Sequence, residues 1–186
     1  MRLFVAIRLS EDIRGRLAPL QRYVKTKIPE TRPVAVENLH LTLKFLGETA
    51  EEKRDAVKQA LTTAAVKFPP FSLRLVGMGR FPEERGARVL WVGCETDGML
   101  KNLHREIDAA LEPLGFPNEN RFKEHVTLVR FTGNPRVAAL DELIRMFGDE
   151  RYGTMTVAGM HLFQSTLLPD GPVYRVLGEI PMGRTM

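Results

Sequence analysis

The chain has 186 residues, 44% of them hydrophobic and 27% charged, with a formal net charge of +4 at pH 7. That composition buries a core and excludes a disordered chain, and a single cysteine, Cys94, excludes an intrachain disulfide or a cysteine metal cluster. The mild basic excess suits an anionic partner without requiring one, and no apolar run approaches the length of a membrane span, so a cytoplasmic protein with no membrane partner is expected.

Residues 2–9 (RLFVAIRL), rich in Phe, Val and Ile, predict a core strand. Its apolar run is too short for a signal peptide, and Arg8 interrupts it. Ser10 is placed to cap a helix over residues 10–24, with Glu11 and Asp12 in the first turn. Ile13, Leu17, Leu20 and Val24 follow at helical spacing, and Pro19 is expected to kink or shorten the element. Pro29 and Pro33 mark the connection into a strand around His40. A helix over residues 50–67 packs through Val57, Ala60, Leu61 and Ala64, and Pro69-Pro70 stops it. Residues 71–76 form a strand, and Gly77, Gly79 and residues 82–86 a polar hairpin-like excursion. A strand over residues 88–95 carries Trp91, with Cys94 as a small buried hydrophobe. A helix over residues 97–114 shows Leu100, Leu103, Ile107, Leu111 and Leu114 at helical spacing, with Gly115 as its stop. A polar loop over residues 116–123 feeds the strand of His125. Residues 137–147 supply the helical stripe Leu140, Leu143, Ile144 and Phe147. Strands near residues 153–163 and 173–180 flank the turn Pro169-Asp170-Gly171.

Two stretches stand out. Residues 37–47 read ENLHLTLKFLG and residues 123–131 read KEHVTLVRF, each with His-x-Thr followed by Leu. Strand residues two apart share a face, so His40 stands beside Thr42 and His125 beside Thr127. Leu41, Leu43 and Phe45 take the opposite face of the first strand, and Val126 and Leu128 that of the second. Lys44 falls on the face of His40, where it would add positive potential. Arg130 falls opposite His125 and reaches its side only through a bulge or strand end. One such tripeptide is ordinary, and a lone strand histidine is more often structural. Here the surroundings match as well: strand, helix and motif strand recur, and FSLRLVGMGRF (residues 71–81) resembles TMTVAGMHLF (residues 154–163). The pattern predicts an α+β fold of two pseudo-symmetric lobes, each an antiparallel sheet with helices packed outside. Residues 1–186 would form a single bilobal domain around a central groove carrying both His-x-Thr motifs.

RLFVAI, NLHLTLKFLG and HVTLVRF together resemble the 2H phosphoesterase superfamily, and most nearly its RNA 2′,3′-cyclic phosphodiesterases, also called 2′-5′ RNA ligases. The resemblance runs from the opening strand to GPVYRVL (residues 171–177), with RPVAVENLHLTLKFLG (residues 32–47) its most diagnostic part. The family usually has proline before the second histidine, where this chain has Glu124, expected to point away from His125. The resemblance implies an enzyme that opens an RNA 2′,3′-cyclic phosphate end to a 2′-phosphomonoester, with a possible reverse 2′-5′ ligation and no nucleotide cofactor. It implies His40 as proton donor to the leaving oxygen and His125 as proton acceptor from water, an assignment that two nearly symmetric motifs cannot make by themselves. It makes phosphate or ribose contact plausible for Arg130. An RNA with a cyclic phosphate end, such as a tRNA fragment, is the implied partner, and a monomer is expected.

The residues suit this chemistry on their own terms. Opening a cyclic phosphodiester needs a base for water, an acid for the departing oxygen and donors to the phosphate oxygens. Imidazole titrates near neutral pH and can serve as either, and threonine hydroxyls can donate. Neither motif holds a third ligand that a metal on His40 and His125 would want, and no Gly-rich phosphate loop is present, so no metal and no cofactor is expected. His104 and His161 lie outside both motifs and are assigned to structure. Phe4 or Phe81 could stack a base, but core packing is expected for each. Two alternatives stay open: a related enzyme acting on a small cyclic nucleotide or ADP-ribose cyclic phosphate, and a non-catalytic nucleotide- or RNA-binding module.

Overall fold

The opening strand follows from its composition. In the computed structural model, which describes residues 1–82, 87–119, 121–169 and 171–183, β1 (Arg2–Arg8) buries every residue between its terminal arginines. Leu3, Val5 and Ile7 enter the main core, while Phe4 and Ala6 join a small cluster with Phe163 on the other face. Helix α1 (Glu11–Lys27) begins where the Ser10 side chain accepts the Ile13 N–H at 3.3 Å and buries Ile13, Leu17, Leu20 and Val24. It continues through Pro19, which was expected to kink or shorten it. Pro19 is exposed, and the residue its ring would crowd four positions back is Gly15, with open space around it. A short strand, β2 (Thr31–Pro33), occupies the connection that the two prolines marked.

The motif strand β3 (His40–Glu48) leads through a 3₁₀ turn to α2 (Arg54–Ala65) and then β4 (Phe71–Phe81). The second half repeats the plan with β5 (Val89–Glu95), α3 (Met99–Leu111), the motif strand β6 (His125–Phe131) and α4 (Val137–Phe147). The expected strand at residues 153–163 is two strands, β7 (Arg151–Val157) and β8 (Gly159–Leu168), and β9 (Gly171–Pro181) closes the fold. Gly159, the first residue after the break, lets β9 approach closely, because a Cβ there would meet the Ile180 carbonyl oxygen at 2.8 Å. Residues 83–86 of the expected excursion, Asn120 of the polar loop and Asp170 of the expected turn lie outside the described residues.

All the strands join one antiparallel sheet in the order β7-β4-β5-β6-β3-β1-β8-β9, with β2 on β6. The two halves meet at the centre, where β3 and β6 pair at Leu41 and Val126. They are not the two repeats laid side by side. The last strand of the first repeat, β4, pairs with β5 of the second, and β8 returns to pair with β1. Helices exchange likewise: α1 packs on β2, β6 and β7, whereas α3 packs on α2 and β3. Each motif strand is therefore backed by the first helix of the other repeat. Among the described residues no helix is long and apolar enough to cross a membrane.

Both motif strands break their alternation at the same place. Thr42 pairs with Ala6 and Lys44 with Val5, leaving Leu43 without a partner on β1. Thr127 pairs with Trp91 and Val129 with Leu90, leaving Leu128 without one on β5. A one-residue bulge turns the following side chains over. Lys44, expected beside His40, is instead buried at 1% exposure and ion-paired to Asp108 of α3, with a further bond to the Pro117 carbonyl at 2.7 Å. Phe45, expected in the core, is 62% exposed. A buried charge deprived of its partner is strongly destabilising, so Asp108→Ala is expected to lower unfolding free energy by about 3–5 kcal/mol in urea titrations at pH 7. A loss below about 1 kcal/mol would mean that water, not Asp108, satisfies Lys44.

Candidate functional site

The central Leu41–Val126 pair is bracketed by His40 and Thr42 on one strand and His125 and Thr127 on the other. All four side chains are half-buried on the same face of the sheet, and the leucines and valine between and beyond them are buried behind it. The sheet thus brings the two motifs to one groove. The bulge at Leu128 also puts Arg130 on that face, exposed and close enough to act electrostatically on both histidines. Lys44 is not part of the groove. Glu124 turns away from it, toward Lys101 of α3 at 4.0 Å, as its place in the strand led one to expect.

Each imidazole is held the same way. His40 Nδ1 lies 2.6 Å from the Asn38 carbonyl oxygen, and His125 Nδ1 lies 2.7 Å from that of Lys123. A carbonyl can only accept, so Nδ1 carries the hydrogen and Nε2 is the nitrogen left for proton exchange. Aromatic walls fix the rings. Phe4 sits 5.1 Å from His40 and Tyr174 meets it edge-on at 5.3 Å. Phe81 meets His125 edge-on at 5.0 Å, with Trp91 at 6.1 Å. Phe4 and Phe81 therefore serve the histidines rather than the main core. Trp91 lies across Gly79, where any Cβ would fall 2.2 Å from its ring, and Lys123 Nζ sits 4.5 Å from its ring centre.

Burial holds both histidines below the ordinary imidazole pKa, because the charged form loses water. The Arg130 guanidinium lowers both further, joined at His40 by His125 and preceded at His125 by Lys123. The carbonyl partners oppose the shift at each ring.

Other groove residues carried no sequence signal. Tyr174 and Phe163 come from the β8–β9 hairpin, whose curl over β1 no local pattern announces. His161, assigned to structure, stands in the cross-strand row of Thr42 and Ala6 on the groove face. Its Nδ1 is buried with no partner among the described residues, and burial and Arg8 lower its pKa against the pull of Glu179. His104 is buried in α3, as expected of a structural histidine. Among the described residues no three of His, Cys, Asp and Glu are grouped to hold a metal ion.

The model of one family, LigT like Phosphoesterase, matches the chain twice, over residues 7–91 and 92–174. Each match contains one His-x-Thr strand. The chain belongs to the LigT-like phosphoesterases. An Archaeoglobus fulgidus relative named RNA 2′,3′-cyclic phosphodiesterase is 37% identical over 178 residues, covering 95% of this chain and 98% of its own. A Thermus thermophilus crystal structure superposes with a TM-score of 0.86 at 33% identity, covering all of both chains. Escherichia coli LigT, solved in complex with 3′-AMP, gives 0.71 at 28% identity over 97% of each.

In this LigT-like phosphoesterase one face of the sheet offers two imidazole Nε2 nitrogens, two hydroxyls and one guanidinium. Removing the Arg130 cation relieves the imidazolium of each histidine, so Arg130→Ala is expected to raise both histidine pKa values. Titration of the two rings by NMR in the free protein checks this; unchanged values would place Arg130 out of reach of the groove.

Proposed function

We propose that the chain is an RNA 2′,3′-cyclic phosphodiesterase that opens a terminal cyclic phosphate to a 2′-phosphomonoester by two-histidine acid–base catalysis. The observation that carries this reading is the matched tethering of His40 and His125 through Nδ1, which leaves two Nε2 atoms on one groove. Relatives named for this activity, at 32–37% identity over most of the chain, support it.

In the proposed reaction His125 Nε2 takes a proton from water as the water oxygen attacks phosphorus. The bond from phosphorus to the ribose 3′ oxygen breaks, and His40 Nε2 returns a proton to that oxygen. The Thr42 and Thr127 hydroxyls donate to the non-bridging oxygens, and Arg130 balances the charge that grows on them. Burial and Arg130 disfavour the imidazolium that the acid needs, and the bound phosphate anion favours it, so substrate itself loads the proton donor. Run in the same direction with an RNA 5′-hydroxyl in place of water, so that its oxygen attacks phosphorus and the 3′ oxygen leaves, the same groups would form a 2′-5′ bond. The reading includes tRNA fragments among the substrates and a monomer working in the cytoplasm, with no metal or cofactor in the reaction.

The test is single-turnover cleavage of a short RNA ending in a 2′,3′-cyclic phosphate, in the presence of EDTA. Wild type is expected to release a 2′-phosphate, and His40→Ala and His125→Ala each to lose about 10²-fold or more. The double variant should be scarcely worse than the poorer single one, because the two transfers serve one transition state. A single variant with near wild-type rate would end the paired mechanism. Loss in EDTA that added divalent metal restores would end its metal-free form. Turnover of ADP-ribose 1″,2″-cyclic phosphate in preference to the RNA would move the enzyme to a small-metabolite substrate.

For kcat/KM a bell-shaped pH profile is expected, with both limbs below those of two unperturbed imidazoles. The kcat profile, measured with phosphate bound, should lie at higher pH. Coincident profiles would show that the bound anion does not act on the histidines.

A further inference from the structure

We infer that Gln21 and His104 are positioning residues that hold the two His-x-Thr strands in their bulged form and so decide which side chains face the groove. The inference rests on the proposed reaction for its kinetic readout and on the fold alone for its structural one.

Gln21 and His104 are buried polar residues inside apolar helical stripes, at 3% and 4% exposure. Each sits on the first helix of its repeat, and each reaches the motif strand of the other repeat. Gln21 Nε2 donates to the Leu128 carbonyl oxygen at 2.8 Å and to that of Val34 at 2.8 Å. His104 Nδ1 donates to the Leu43 carbonyl oxygen at 3.0 Å. Leu43 and Leu128 are the residues that the slip directly after each His-x-Thr leaves unpaired on β1 and β5; a further slip on β1 skips Leu46. Two unrelated side chains thus bond the same carbonyl of the same bulge in the two halves. Helix packing alone would favour leucine at either site.

A bulge removes a ladder partner from the extra residue, and each helix side chain supplies a donor to its carbonyl, at Leu128 as a second donor beside the Val34 N–H at 2.9 Å. These donors meet the two carbonyls where the bulges place them. Were a bulge to slip out, alternation would carry Arg130 and Phe45 inward and Lys44 toward the groove. Gln21 therefore acts through Arg130, three residues beyond His125-x-Thr127, and His104 through the strand of His40. The ring of His104 is braced from behind, its Nε2 3.2 Å from the Glu119 carbonyl and 3.4 Å from Asp108, the partner of Lys44.

The test compares Gln21→Leu and His104→Leu, which remove the donor, with Gln21→His and His104→Gln, which exchange the solutions of the two halves. Folded leucine variants are expected to lose about tenfold or more in kcat/KM on the cyclic-phosphate RNA, as small misplacements of reacting groups do, and the exchanges to stay within about threefold. Arg130→Ala should cost less in the Gln21→Leu background than in wild type, and its full amount in the His104→Leu background. A merely structural role would lower stability while leaving the Arg130→Ala effect equal in all backgrounds, and that result overturns the inference. Cross-strand NMR contacts supply the readout that needs no activity. Wild type and Gln21→His should show Thr127 against Trp91 and Val129 against Leu90, and Gln21→Leu should lose this register. An unchanged register in Gln21→Leu overturns the inference as well. Should His104→Leu fail to fold, the Gln21 arm decides, because Leu128 keeps the Val34 N–H at 2.9 Å. A wild type inert on the RNA would remove the proposed function and leave the register measurement standing.

Discussion

A pleated strand can show the same face to solvent only at every second residue, and the groove depends on breaking that rule twice. At Leu43 and again at Leu128 one residue is left out of the pairing. Before each slip the strand presents His and Thr; after it, the odd-numbered offset becomes the outward one. The His125 strand thereby shows an imidazole, a hydroxyl and a guanidinium on one side, a set that strict alternation forbids. The same slip sends Lys44 into the core, where an ion pair with Asp108 and a bond to the Pro117 carbonyl make it tolerable. Charge placement in the groove and charge burial behind it are two effects of one backbone irregularity.

The parts of this arrangement that obey a fixed period were legible in the sequence. His40 with Thr42 and His125 with Thr127 lie two apart, before the slip, and the helical stripes of α1, α2, α3 and α4 follow from ordinary spacing. Lys44 and Phe45 were misplaced because a bulge leaves no compositional mark in LTLKF. Arg130 was left conditional for the same reason. Gln21 and His104 did leave a mark: each is a polar residue within an apolar stripe, flanked by Leu17, Leu20 and Val24 or by Leu100, Leu103 and Ile107. Such a residue requires a buried partner, but the stripe cannot say which strand holds it.

Pairing across the sheet was the least legible level. The repeat in the sequence is real, and the family model finds it twice, yet neither repeat forms a lobe from its own strands. Local pattern says that β4 and β8 are strands and cannot say that they exchange. The break at Ala158 was invisible because both flanking segments carry strand composition, although one pairs with β4 and the other with β1. Exchange also explains the environment of the site: the walls of His40 come from both ends of the chain, Phe4 at one and Phe163 and Tyr174 at the other.

That last arrangement bears on the order in which the protein can be made. The ribosome delivers β1 long before β8 and β9, and β1 has one edge vacant until they arrive. Through most of synthesis Phe4 and Ala6 face water, and His40 lacks two of the rings that hold it. Non-local pairing of this kind is slow, and exposed strand edges invite association with other chains in the meantime. The opposite wall has no such wait, since Phe81 and Trp91 come from β4 and β5, which pair with each other and precede His125 in the chain. Of the two nearly equivalent histidines, His125 has its wall before it in the chain, whereas His40 waits for β8 and β9.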